Sequence, residues 1–332
     1  MVPGSSPGGP TNLITIFDIC GINFLKIFHV MKEKLSRRKF FYGACCSICS
    51  ALILPSCAEV PITNRRQLNF YKYNLPIIIP SGGSSSIPKI YSNENHLNTI
   101  IEKQYGKFIQ DAKSKKILIE NTKESKLIKE IGIHISSSIN KYYINQSESN
   151  PVENFNWEFA LIDAKDNEGN LIKNAWCMPG GKIAFYTGIM PIAKNDDGIA
   201  SIMGHEIAHA FARHTVERLT QHSIISIGTQ GVLNTNYGKV LAQNSDIYNN
   251  IVQFGIMLPF SRKMESEADY MGLAFMNLAG YNMQESVEVW KRMKIDNKKT
   301  PPEFLSSHPS PDNRIENLQN WMNEVKLKYQ TV

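Results

Sequence analysis

The chain has 332 residues, 42% of them hydrophobic and 20% charged, a balance that supports a buried core and excludes a disordered chain. The formal net charge is +6, but the first 56 residues hold six Lys/Arg against two Asp/Glu, which leaves the remainder close to neutral. A near-neutral body without a clustered basic stripe excludes nucleic acid as the expected partner.

In chain order, residues 1–30 open on MVPGSSPGGP and continue as an apolar stretch broken by Asp18 and Lys26. They form a doubtful upstream leader, with Met31 as the alternative start. Residues 31–56 carry a basic segment, an apolar stretch from about Phe40 to Leu54 and then small residues, the shape of a secretory signal peptide. Leu54-Pro55-Ser56-Cys57 resembles a bacterial lipobox, with Cys57 as the lipidation site. SRRKFF resembles a twin-arginine export motif, with plain positive charge as the alternative. The location expected from this leader is the periplasmic face of a bacterial cell envelope, as a membrane-anchored lipoprotein. Only Cys177 follows Cys57, so no internal disulfide is expected.

Residues 57–90 are proline-punctuated and are expected to form a tether or strap, with one catalytic-type domain over 91–332. Between Lys123 and Tyr143, Ile128, Ile131, Ile135, Ile139 and Tyr142 recur every three or four residues, which predicts an amphipathic helix. NWEFALIDA alternates as a half-buried strand. NLIKNAWCM and KIAFYTG read as two more, joined through Pro179-Gly180-Gly181. A small antiparallel sheet is therefore expected ahead of a helical remainder, giving an α+β, mostly helical fold. No segment after Cys57 is apolar for long enough to span a bilayer.

SIMGHEIAHAFARH places His205 and His209 four apart, on one face of a helix, with Glu206 beside His205. This is the H-E-x-x-H arrangement, in which two imidazoles hold zinc and the glutamate reaches its water without being a ligand. A catalytic zinc takes a third protein ligand. A histidine at position 215 is excluded because Thr215 stands there, and His214 is one residue out of register, which leaves it packing or hydrogen bonding. SRKMESEADYMG offers Glu265 and Asp269 four apart on a second helix. Glu265 would complete the ligand set, Asp269 would orient a ligand histidine, and Glu267 is left to solvent.

HEIAHAFARH, SRKMESEADYMG, AGYN, SSHPSPDNRIENL and NAWCMPGGKIAFYTGI together resemble the zinc metallopeptidase family that includes HtpX, BepA, LoiP, the CAAX prenyl proteases and the mitochondrial Oma-type proteases, its soluble branch in particular. The resemblance implies a zincin-type domain of the gluzincin clan built on an active-site helix. One zinc would be held by His205, His209 and Glu265, with Glu206 as the general base. The implied activity is endoproteolysis of unfolded or misassembled envelope proteins by zinc-activated water. It also draws attention to His308, which would either stabilise the oxyanion or cap the zinc. Lys182, Ile183, Ala184, Phe185 and Tyr186 are the candidate edge strand for an extended polypeptide substrate. The alternative is a chaperone-like or latent zinc-binding lipoprotein. A structural zinc protein is disfavoured, because closed sites are cysteine-rich.

Overall fold

The computed structural model describes residues 57–79, 89–233, 258–296, 304, 308 and 313–330; the leader expected over 1–56 lies outside them. The chain divides into two compact units. Among the described residues the first comprises 57–60, 64–79, 89–93, 217–233 and 258–260. In it β1 (Cys57–Glu59) pairs antiparallel with β2 (Arg66–Leu68), and β3 (Ile77–Ile79) with β4 (Lys89–Tyr91). Glu217, fully buried, receives both Arg65 guanidinium nitrogens at 3.1 and 2.7 Å and the Leu68 amide at 3.2 Å. Within the expected tether or strap over 57–90, the described backbone forms two short local ladders, and the Leu68 amide donates to a buried carboxylate far along the chain.

Among the described residues the second unit comprises 61–63, 94–216, 261–296, 304, 308 and 313–330. Its elements are α1 (Glu94–Ser114), β5 (Leu118–Ile119), α2 (Lys123–Asn145), β6 (Glu158–Ile162), β7 (Ala175–Met178), β8 (Lys182–Tyr186) and α3 (Asp196–Phe211), followed by the start of α4 (His214–Leu233), most of α5 (Leu258–Leu278), α6 (Gln284–Asp296) and α7 (Arg314–Lys328). α2 starts at a capping box in which Thr122 and Ser125 satisfy each other's amides. Of its predicted stripe, Ile128, Ile131, Ile135 and Ile139 are buried and Tyr142 is half-buried. The α+β, mostly helical class holds.

The sheet order is β5-β6-β8-β7. β6 and β8 run parallel, while β5–β6 and β7–β8 are antiparallel, so the expected antiparallel sheet is a mixed one. Between β7 and β8 the chain reverses through Gly180 (φ +78°) and Gly181 (φ +84°), where a Cβ on Gly181 would stand 2.7 Å from the Trp157 ring. Strand β8 is hydrogen-bonded on both sides, which corrects the expectation that Lys182–Tyr186 is an edge. The edge is β7. Alternation along a strand shows which face is buried, but not which neighbours flank it. Among the described residues no helix is long and apolar enough to cross a membrane.

Candidate active site

Helix α3 begins where Asn195 Oδ1 accepts the Gly198 amide at 2.8 Å, and residues 198–211 are buried throughout. A helix covered on every side is the centre of its unit. It packs against α2, α6 and β7. Helix α5 approaches it most closely where both backbones lack side chains: a Cβ on Gly204 would lie 3.0 Å from the Gly272 carbonyl, and one on Gly272 would lie 3.1 Å from the His205 amide. That contact brings Glu265 opposite the two histidines. Replacing Gly272 with valine forces branched carbons into backbone contact, so we expect a loss of ~1–3 kcal/mol and a markedly lower zinc content. Thermal melting and metal analysis of the purified variant check both.

His205, His209, Glu265 and His308, all buried, present donor atoms within 4.8 Å of one another. His205 Nε2 lies 3.1 Å from His209 Nε2 and 3.2 Å from Glu265 Oε2; His209 Nε2 lies 3.5 Å from Glu265 Oε1. His308 Nδ1 is 3.1 Å from Glu265 Oε2 and 3.4 Å from His205 Nε2. Donors that each stand about 2.0–2.2 Å from a zinc ion are separated by distances of this size. Glu265 Oε1 is buried and accepts no hydrogen bond among the described residues, which leaves it open to a cation. Two imidazoles and a carboxylate are a catalytic zinc donor set.

Around this cluster, Asp269 Oδ1 lies 3.0 Å from His205 Nδ1, so the carboxylate sits behind the imidazole as the four-residue spacing predicts. Asp269 in turn receives Arg314 Nε, while Arg314 Nη2 is 3.2 Å from Glu265 Oε2. The guanidinium stacks 3.7 Å above the Trp290 ring. Arg314 was not anticipated from sequence; as one basic residue at a helix start it carries no distinctive spacing. Glu267 is corrected. It is 6% exposed, not solvated, and its Oε2 lies 2.9 Å from His214 Nε2. Residues two apart on a helix point roughly 200° apart, so Glu267 could not join Glu265, and its partner comes from the start of α4.

Glu206 is 1% exposed, and burial, opposed by nearby His308, pushes its carboxyl up to about 7. It accepts the Cys177 backbone N–H from β7, and its Oε1 has no hydrogen-bond partner among the described residues, with His308 Nε2 3.4 Å away. Burial lowers His209 well below the usual imidazole range. Burial acts on His205 in the same direction, but Asp269 and Glu265 outweigh it and the net shift is upward. Burial raises Glu265, yet His209 and His308 hold it well below the usual carboxylate range. Cys177 is half-buried, its thiol raised by burial and then by Glu206. Cys57 opens β1 opposite Leu68, in the first unit.

The site thus defines a metallohydrolase of the zincin type. The sequence profile described as Peptidase family M48 matches residues 137–322, more than half of the chain, and the chain belongs to this family. It is 37% identical over 188 residues to "Mitochondrial metalloendopeptidase OMA1" of Saccharomyces cerevisiae, covering 54% of this chain and 51% of that protein. It is 35% identical over 183 residues to the protein of the same name in Arabidopsis thaliana, covering 54% and 35%. To "Beta-barrel assembly-enhancing protease" of Yersinia pestis it is 24% identical over 161 residues, covering 46% and 33%. The chain spans about half the length of the yeast relative. Donor set and family together define zinc as the cofactor.

These relatives correct the expected location. Those from yeasts, a plant and cattle are mitochondrial proteins by name, which overturns the assignment to a bacterial periplasmic envelope. A short basic segment followed by apolar and small residues is a feature of composition that several targeting signals share, so residues 31–56 did not single out one compartment.

Proposed function

We propose that the chain is a zinc metalloendopeptidase acting on unfolded or extended polypeptides, with His205, His209 and Glu265 holding the ion and Glu206 serving as general base. The observation that carries this reading is Glu206 itself: a fully buried carboxylate with one oxygen that accepts no hydrogen bond among the described residues, adjoining the donor cluster yet outside it. A purely structural metal site has no use for such a group. Zinc, when bound, supplies Lewis-acid polarisation of the scissile carbonyl and activation of water. Glu206 takes a proton from water and returns it to the leaving amine. The Cys177 N–H holds its carboxylate in place, and in the metal-free chain burial raises its carboxyl to about 7.

Strand β7 replaces β8 as the candidate docking edge. It lies at the margin of the sheet, and its Cys177 amide reaches Glu206, so a chain added alongside it runs past the base. Main-chain pairing of this kind reads extended backbone more than side chains. His308 supports a capped, latent resting arrangement over a purely oxyanion-binding one, because its Nδ1 stands among the donors.

The testing experiment is metal analysis and casein cleavage by the full-length chain. One zinc per chain is expected, with cleavage lost on chelation and restored by zinc. Stoichiometric zinc with no cleavage under any condition would move the reading to a latent or chaperone-like zinc protein.

A further inference from the structure

Helix α3 ends at Phe211, and the backbone turns through Arg213 at φ +54°, where Arg213 Nε bonds Glu94 Oε1 at 2.6 Å. The turn sends His214 back onto the preceding helix. His214 Nδ1 lies 2.8 Å from His209 Nδ1, with ring centroids 4.8 Å apart and inclined at 74°. On the opposite side of the ring His214 Nε2 lies 2.9 Å from Glu267 Oε2, and the other Glu267 oxygen accepts the Thr63 hydroxyl. The His214 and Glu267 side chains are 1% and 4% exposed.

Two imidazole nitrogens at 2.8 Å share one proton, so one of them is the acceptor. The carboxylate of Glu267 claims a proton on His214 Nε2, which in a neutral ring leaves Nδ1 as a lone pair. His209 must then donate from its own Nδ1, and its Nε2, which points at His205 and Glu265, carries no proton. The reverse arrangement places a proton on His209 Nε2 and aims it into the donor cluster, where it blocks ligation.

We propose that His214, backed by Glu267, is a positioning residue that fixes His209 in the tautomer whose Nε2 is free to bind zinc. This rests on the proposed zinc site. It is a separate device from the Asp269–Arg314 pair behind His205: the two ligand histidines are held by different acceptors. One acceptor is a carboxylate and the other an imidazole, which itself needs a carboxylate to set its tautomer.

The test uses the full-length chain, with zinc alone as the probe. Zinc affinity by chelator competition is expected to fall ~10–100-fold in His214→Ala. His214→Asn, whose Oδ1 stands about where Nδ1 does, should recover most of the loss, which a general packing role would not allow. Nitrogen-15 NMR of the zinc-free parent should show His209 protonated at Nδ1 and bare at Nε2. The opposite tautomer in the parent overturns the proposal even if the alanine variant fails to fold. So does parent-like affinity in His214→Ala, or an asparagine variant as weak as the alanine one. Failure of the parent to bind zinc would instead remove the proposed metal site and leave the tautomer measurement standing.

Discussion

Glu206→Gln is expected to retain one zinc per chain and to lose casein cleavage by ~10²–10⁴-fold, the range for removing a positioned general base. Glutamine has the size and shape of the protonated carboxyl, and it can still accept the Cys177 N–H, so the surroundings need not move. What it cannot do is take up a proton. The same change should make the zinc-free protein more stable at alkaline pH. Burial raises the Glu206 pKa to about 7 in the folded chain, while the unfolded chain ionises in the ordinary carboxylate range. The parent therefore loses stability as pH rises through the interval between the two, and the variant, with nothing to ionise there, does not. Cleavage assays with metal analysis test the first effect; melting temperature against pH in chelator-treated protein tests the second. A variant that still cleaves within tenfold of the parent would remove Glu206 from the chemistry.

That Glu206 could be singled out as the candidate base without a structure reflects the local nature of helix geometry. The spacing of His205, Glu206 and His209 within one helix, and of Glu265 and Asp269 within another, translates directly into shared faces, and the structure brings these residues together. The buried stripe of α2 was legible for the same reason. Relations between elements were not. Whether β8 lies at an edge depends on which strands flank it, and β6 joins it in parallel across a connection that alternation does not encode. Glu267 looked solvated because its helix neighbours already accounted for the metal-facing side; its partner, His214, arrives from the break after α3. Arg314 is separated from Asp269 by 45 residues and meets it only through the packing of α7. The location was misjudged for a different reason, since targeting is read from composition that more than one export or import route accepts.

Arg314 also carries the largest expected effect on stability. It is 2% exposed, and its Nε bonds Asp269, its Nη2 approaches Glu265 Oε2 at 3.2 Å and its plane covers Trp290. Arg314→Met keeps much of the apolar stem over the indole but leaves two buried carboxylates without the guanidinium that faces them. Breaking a buried pair from one side costs ~3–5 kcal/mol, because the remaining charge is left uncompensated. The zinc-free protein should therefore show a large fall in melting temperature. Zinc should recover part of it, since an ion bound by Glu265 supplies positive charge to one of the two carboxylates that lost the guanidinium, and it binds only the folded chain. Arg314→Lys should fall between parent and methionine variant, because an ammonium cannot span both carboxylates as the planar fork does. Melting each variant with and without zinc separates the alternatives. If the methionine variant loses the same amount in both conditions, Arg314 acts through its packing on Trp290, and the charge argument fails. If zinc narrows the gap, the guanidinium holds Glu265 and the Asp269 that orients His205 at the positions the ion requires, and the stability of the zinc-free unit is tied to the charges that make it a metal site.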